Sequence, residues 1–153
     1  MKRTHRKKGG KSQPKYDFTK YKLQKKKLPS KEITTEISLS ENNRIIYAFK
    51  RIRKSHIIEV TTVSLDIKIG TKWKTVLYYD CIQSHQKKLH RHRRISLDIP
   101  GEIPFEKEIN IKGAPKKKLT WAIRDIKKNW IDYKKKLLER SKKTKKKLDI
   151  ELF

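Results

Sequence analysis

The run Val63–Tyr79, VSLDIKIGTKWKTVLYY, decides the fold. Val63, Leu65, Ile67 and Ile69 alternate with Ser64, Asp66 and Lys68, and after Gly70-Thr71 the alternation resumes with Trp73, Thr75, Leu77 and Tyr79. A period of two belongs to a strand with one buried face, and a glycine-containing pair between two such runs is a hairpin turn. The apolar sides of both strands are therefore expected on one side of a sheet. Upstream, Ile45, Tyr47 and Phe49 repeat the pattern and add a strand before the hairpin. Downstream, Leu89–Ile99 reads as another strand, with Ile95, Leu97 and Ile99 on one face and His90, His92 and Arg94 on the other, stopped by Pro100-Gly101. Phe105–Ile111 supplies a short edge strand.

The period then changes. After Gly113-Ala114-Pro115, a helix-start signal, Leu119, Ile123, Ile126, Trp130, Tyr133 and Leu137 recur at helical spacing, with a Lys-rich face opposite. Such a stripe needs an apolar surface to cover, and the sheet provides one. The expected fold is α+β: an antiparallel β meander packed by one long C-terminal helix, with basic extended N- and C-terminal arms.

Composition locates the arms. The chain has 153 residues, 43 of them Lys or Arg against 16 Asp or Glu, a formal charge of +27, and only 34% are hydrophobic. Globular domains hold about 45–50% apolar residues, so part of this chain lies outside a core. Residues 1–31 carry 13 basic and 1 acidic residue, 32–112 carry 15 and 10, and 113–153 carry 15 and 5. The division expected is a basic N-terminal arm over 1–31, a folded domain over 32–140 and a Lys-rich C-terminal tail over 141–153. No run approaches the 18 or so apolar residues that cross a bilayer as a helix, and Gly9-Gly10-Lys11-Ser12 stands where a signal-peptide core would be apolar. No membrane association is expected. A lone Cys81 excludes an internal disulfide and a Cys-based zinc finger, and a cytoplasmic setting is expected.

Such charge points to a polyanion. In the N-terminal arm Arg3, Arg6, Lys7, Lys8, Lys15, Lys25, Lys26 and Lys27 interleave with Tyr16, Phe18 and Tyr21. Cations neutralise phosphates and release counterions, while aromatics stack on exposed bases. Lys87, Lys88, Arg91, Arg93 and Arg94 extend the basic surface around the Leu89–Ile99 strand, Lys116, Lys117 and Lys118 open the helix, and Lys142, Lys143, Lys145, Lys146 and Lys147 make the C-terminal tail a second contact. No helix-turn-helix, zinc finger, basic zipper or RRM signature is present, so RNA is favoured over DNA as the partner. A large ribonucleoprotein such as a ribosome is the setting such arms suit.

Asp80, His85, His90 and His92 form a second constellation around the loop that joins the strand ending at Tyr79 to the one beginning at Leu89. Three chemistries fit it. Histidines titrate near neutrality and would serve as the acid and base of RNA cleavage, with the neighbouring cations holding phosphate; they would equally share a phosphate-binding surface with the arginines. The same N and O donors suit zinc, but the surrounding Arg and Lys repel a dication and the spacing matches no fixed zinc motif. Neither a metal nor another cofactor is expected.

Tyr79-Asp80, His85, His90-Arg91-His92-Arg93 and the helical Leu119-Thr-Trp-Ala-Ile-Arg-Asp-Ile-Lys-Lys-Asn-Trp130 with Tyr133 resemble a group of small uncharacterised prokaryotic proteins. These share a Tyr-Asp, a spaced His, a His-x-His-like element and a closing helix with Asn-Trp. The first half also resembles the TumE-like toxins of toxin–antitoxin pairs. That resemblance covers Ile45–Arg140 and implies an alternative function, a metal-independent endoribonuclease with Asp80, His85, His90 and His92 as catalytic residues and an antitoxin as partner.

Overall fold

The structure, a computed structural model, describes residues 30–53, 56–81 and 88–151. Six strands, β1 (Lys31–Ser40), β2 (Asn43–Arg53), β3 (His56–Ile69), β4 (Lys72–Asp80), β5 (Leu89–Arg93) and β6 (Phe105–Ile109), precede one helix, α1 (Pro115–Glu151). Each strand pairs antiparallel with the next, in the order β1 to β6, and α1 lies across β3 and β4. The fold is the expected antiparallel meander covered by one long C-terminal helix.

The β3–β4 hairpin turns at Gly70, whose φ of 60° is the left-handed conformation that a side chain resists. Val63 pairs with Tyr79 and Leu65 with Leu77 on the helix side, and all four are fully buried. Between Leu65 and Asp66 the register shifts, so Asp66 faces Thr75 and Lys68 faces Trp73. An extra residue in one strand moves the side chains beyond it to the other face. Trp73 and Thr75 therefore leave the apolar face on which alternation placed them. Thr75 donates to Asp66 at 2.8 Å, and the Arg44 guanidinium stacks over Trp73 at 3.9 Å from the ring centre.

β5 ends at Arg93, short of the expected Ile99. The Arg94 amide makes the last bond, to Val76 O, and the carbonyls of Arg94 and Ile95 then accept from the Arg140 guanidinium. Leu97 N donates to Ser141 Oγ. The segment after β5 is thus tied to the helix instead of a neighbouring strand, and Ile95 and Ile99 are exposed.

Helix α1 begins as the sequence signals. Gly113, at φ 118°, turns the chain, the Ala114 carbonyl accepts from the Lys117 amide, and Pro115 takes the first helical position, where its missing N–H is not needed. No Gly or Pro follows, and Lys, Leu, Arg and Glu all favour helix. The helix accordingly runs unbroken to Glu151, so the Lys-rich stretch after 140 is helical as far as it is described, not an extended arm. Its 37 residues span about 55 Å at 1.5 Å each. Leu119, Ala122, Ile126 and Leu137 are buried against the sheet, while Ile123, Trp130 and Tyr133 of the expected stripe are half-buried. The first turn contains no acidic residue and the last no basic one, the reverse of what a helix dipole favours.

Candidate functional site

Adjacent residues of β4 and β5 point to opposite faces of the sheet, so Tyr79 and Arg91 lie towards α1 while Asp80, His90 and His92 lie away from it. Two polar centres result, back to back.

On the helix side, the Asp125 carboxylate accepts from the hydroxyls of Tyr79 and Tyr133, the latter at 2.7 Å, and from Asn129 Nδ2 at 2.9 Å. Arg91 lies beside them: its Nε donates to Glu106 Oε2 at 2.6 Å and its Nη1 to Tyr133 at 3.3 Å. Arg93 reaches the other oxygen of Glu106 at 2.8 Å. Asp125, Asn129 and Tyr133 are four residues apart, one above another on the helix face that meets the sheet. Burial, reinforced by the bond to Asp125, holds the Tyr79 hydroxyl far above the ordinary tyrosine range and pushes Tyr133 up to about 12. A folded protein that keeps protons its unfolded chain sheds is stable below the unfolded value, near 10, and loses that stability as pH climbs through 10 towards the folded values. Absorbance of ionised tyrosine is accordingly expected to lag behind that of free tyrosine up to unfolding. Two tyrosines titrating normally at pH 10 in the folded protein would show the network is not as described.

On the open face, His92 Nε2 lies 3.3 Å from Asp80 Oδ2 and His90 Nδ1 4.0 Å from Asp80 Oδ1, with Glu108 Oε2 3.8 Å from His90 Nε2. His92 stacks flat on Tyr78 at 4.3 Å, its Nδ1 lies 3.3 Å from the Ile103 carbonyl, and Phe105 stands edge-on to both imidazoles. Three of the four residues singled out in the sequence therefore converge. His85 and Lys87 lie outside the described residues, as does the N-terminal arm from Arg3 to Lys27. The cluster is closed: Asp80 is 6% and His92 5% exposed, and the neighbouring cavity, about 280 Å³, is lined by Thr62, Ser64, Thr75, Tyr78 and Ile103. Among the described residues no group of His, Cys, Asp and Glu has the geometry to hold a metal ion.

The expected phosphate surface is also redrawn. Arg91 is buried and Arg93 is paired with Glu106, while Arg94 donates to Thr75 O at 2.6 Å. All three guanidiniums are thus engaged within the domain, Arg91 most fully and Arg93 with part of its side chain still exposed. Lys88 is exposed but paired with Glu108 at 2.9 Å, and Lys118 is buried. The expected contact residues on α1 do face outward: Lys116 and Lys117 at its start and Lys142, Lys143, Lys145, Lys146 and Lys147 towards its end are exposed. Between them Lys127, Lys128 and Lys135 continue the row, and sequence reasoning missed these three. Helical spacing of the lysines between the stripe positions is the signal that finds them.

Residues 23–143 match the family model of a domain of unknown function, DUF7718. The chain belongs to the DUF7718 family. Its matched span takes in all six strands and α1 as far as Lys143, so both polar centres and most of the lysine row lie within the DUF7718 domain. No curated protein and no solved structure matches the chain. Nothing in these matches links the DUF7718 domain to TumE-like toxins. No helix among the described residues is long and apolar enough to cross a membrane.

Proposed function

We propose that this chain is an RNA-binding protein of the cytoplasm that grips the phosphate backbone, as part of a large ribonucleoprotein such as a ribosome. The observation that carries the reading is the outer face of α1. It presents lysines from Lys116 to Lys147, over about 47 Å, and Lys127, Lys128, Lys134, Lys135, Lys142 and Lys143 have no acidic partner among the described residues. A row of unpaired cations on a rigid helix repels itself until counterions or a polyanion neutralise it. The basic, aromatic-bearing N-terminal arm adds a second contact of the same kind. The experiment is purification of the full chain at low salt, followed by sequencing of the nucleic acid that accompanies it. RNA, released by salt or ribonuclease, is expected. Purification free of nucleic acid, or with DNA alone, would overturn the reading.

One observation favours a second reading, a metal-independent endoribonuclease of a toxin–antitoxin pair. Asp80 lies 3.3 Å from His92 and 4.0 Å from His90, and His90 Nδ1 and His92 Nε2 have no hydrogen bond among the described residues. A general acid or base contributes about 10²–10⁴-fold. On this reading, cleavage in EDTA leaves 2′,3′-cyclic phosphate ends, and His90→Gln or His92→Gln removes the cleavage while sparing binding. Intact RNA after incubation with the wild-type protein rules it out.

A further inference from the structure

Between the chain leaving β6 and the first turns of α1 lies an open groove of about 730 Å³, in the size range of small-ligand sites. Four cations line it, Lys112, Lys116, Lys117 and Arg124, and no acidic residue does. None of the four has an ion pair among the described residues, in contrast to Arg91 and Arg93, which share Glu106. Converging unpaired cations in a concavity focus positive potential there, and an anion relieves their mutual repulsion. The lining is not merely charged. Trp121 forms part of it, and this ring is fixed from behind, standing edge-on to Tyr79 with ring centres 5.8 Å apart. Tyr79 is held in turn by Asp125. The aromatic surface is therefore preorganised before any ligand arrives, which limits the ordering that binding would require. Asn110, also in the lining, adds an amide able both to donate and to accept.

Phosphate cations, a fixed indole and an amide within one groove are the requirements of a single nucleotide. We infer that this groove takes one unpaired nucleotide of an RNA strand, the phosphate on Lys116, Lys117 and their neighbours and the base against Trp121. A base inside a duplex is already stacked on both faces and cannot reach the indole, so the groove selects single-stranded RNA, whereas the outer lysine row contacts backbone of any form. The inference deepens the RNA-binding reading and rests on it.

Fluorescence anisotropy with the full chain tests it, using a short labelled single strand and a duplex of the same length at equal salt. Trp121→Leu is expected to weaken single-strand binding about tenfold or more, the effect of losing one stacked base, and to leave duplex binding unchanged. Trp121→Phe, which keeps an aromatic surface and the core packing, is expected to restore it. The double change Lys112→Ala with Arg124→Ala is expected to weaken the single strand selectively, whereas Lys127→Ala with Lys128→Ala weakens single strand and duplex alike. Single-strand binding indifferent to both Trp121→Leu and the Lys112/Arg124 pair, with binding still reduced by the Lys127/Lys128 pair, would overturn the groove and leave the RNA-binding reading standing. Absence of binding to either RNA by the wild-type chain at low salt would overturn that broader reading, and this one with it.

Discussion

Asp125→Ala is expected to lower the stability of the fold by about 3 kcal/mol, because a buried donor left without a partner costs about 1–3 kcal/mol and this change strands two, the hydroxyls of Tyr79 and Tyr133. Tyr79 is fully buried and Tyr133 half-buried, whereas Asn129 Nδ2 keeps the main-chain carbonyl of residue 125 as an acceptor. A small domain holds about 5–15 kcal/mol in all, so the loss is a large part of the total. Lys127→Ala, two residues along and exposed, should stay within about 0.5 kcal/mol of wild type. Denaturant melts of the two variants are the measurement. Equal midpoints would mean that the carboxylate does not organise the helix against the sheet.

The second large effect is on affinity. A protein that neutralises six to ten phosphates loses about 10³–10⁵ in binding between 50 and 200 mM salt. The helix alone carries 15 basic residues against 5 acidic, and residues 1–31 carry 13 against 1. Titrations at several salt concentrations should give a steep log–log slope for the full chain. Changing Lys127, Lys128 and Lys135 together to Ala should reduce that slope by about 0.7–0.9 for each phosphate that is no longer neutralised. Deleting residues 1–31 should reduce it further. A slope that neither change alters would place the electrostatic grip elsewhere.

Much of the architecture is legible in the sequence because period is a strong signal. Val63–Tyr79 carries its hairpin and the residues from Leu119 to Leu137 their helix. The failures have physical causes. β1 escapes a reading by period because it is an edge strand with only Ile33, Ile37 and Leu39 half-buried among Thr, Ser and Glu, so its alternation is faint. The register shift beside Leu65 leaves no mark in composition, yet it reverses Trp73 and Thr75. Ile95, Leu97 and Ile99 imitate a strand, but Arg140 takes the carbonyls that a neighbouring strand would need.

The site is half visible in the same way. Asp80, His90 and His92 stand out by residue type and do meet, but they meet as a closed cluster, which local sequence does not reveal. Asp125, Asn129 and Tyr133 lie in the same helical motif without standing out as functional groups. Polar residues at i, i+4 and i+8 on the apolar side of a helix are the trace of a buried network. That rule finds them.

The reversed charges at the ends of α1 bear on how ionic strength acts on the whole molecule. Lysines crowd the end where the backbone dipole is already positive, and Asp149 sits where it is negative, so the helix is held by its packing against the sheet and opposed by its own field. Salt screens that opposition along with the self-repulsion of a chain of charge +27. Added electrolyte is therefore expected to tighten the folded state, whereas it would loosen the hold on a polyanion that the proposed function requires. On the RNA-binding reading proposed above the two responses run in opposite directions, and release of nucleic acid at high salt is expected to be dissociation from an intact domain, not the collapse of its fold.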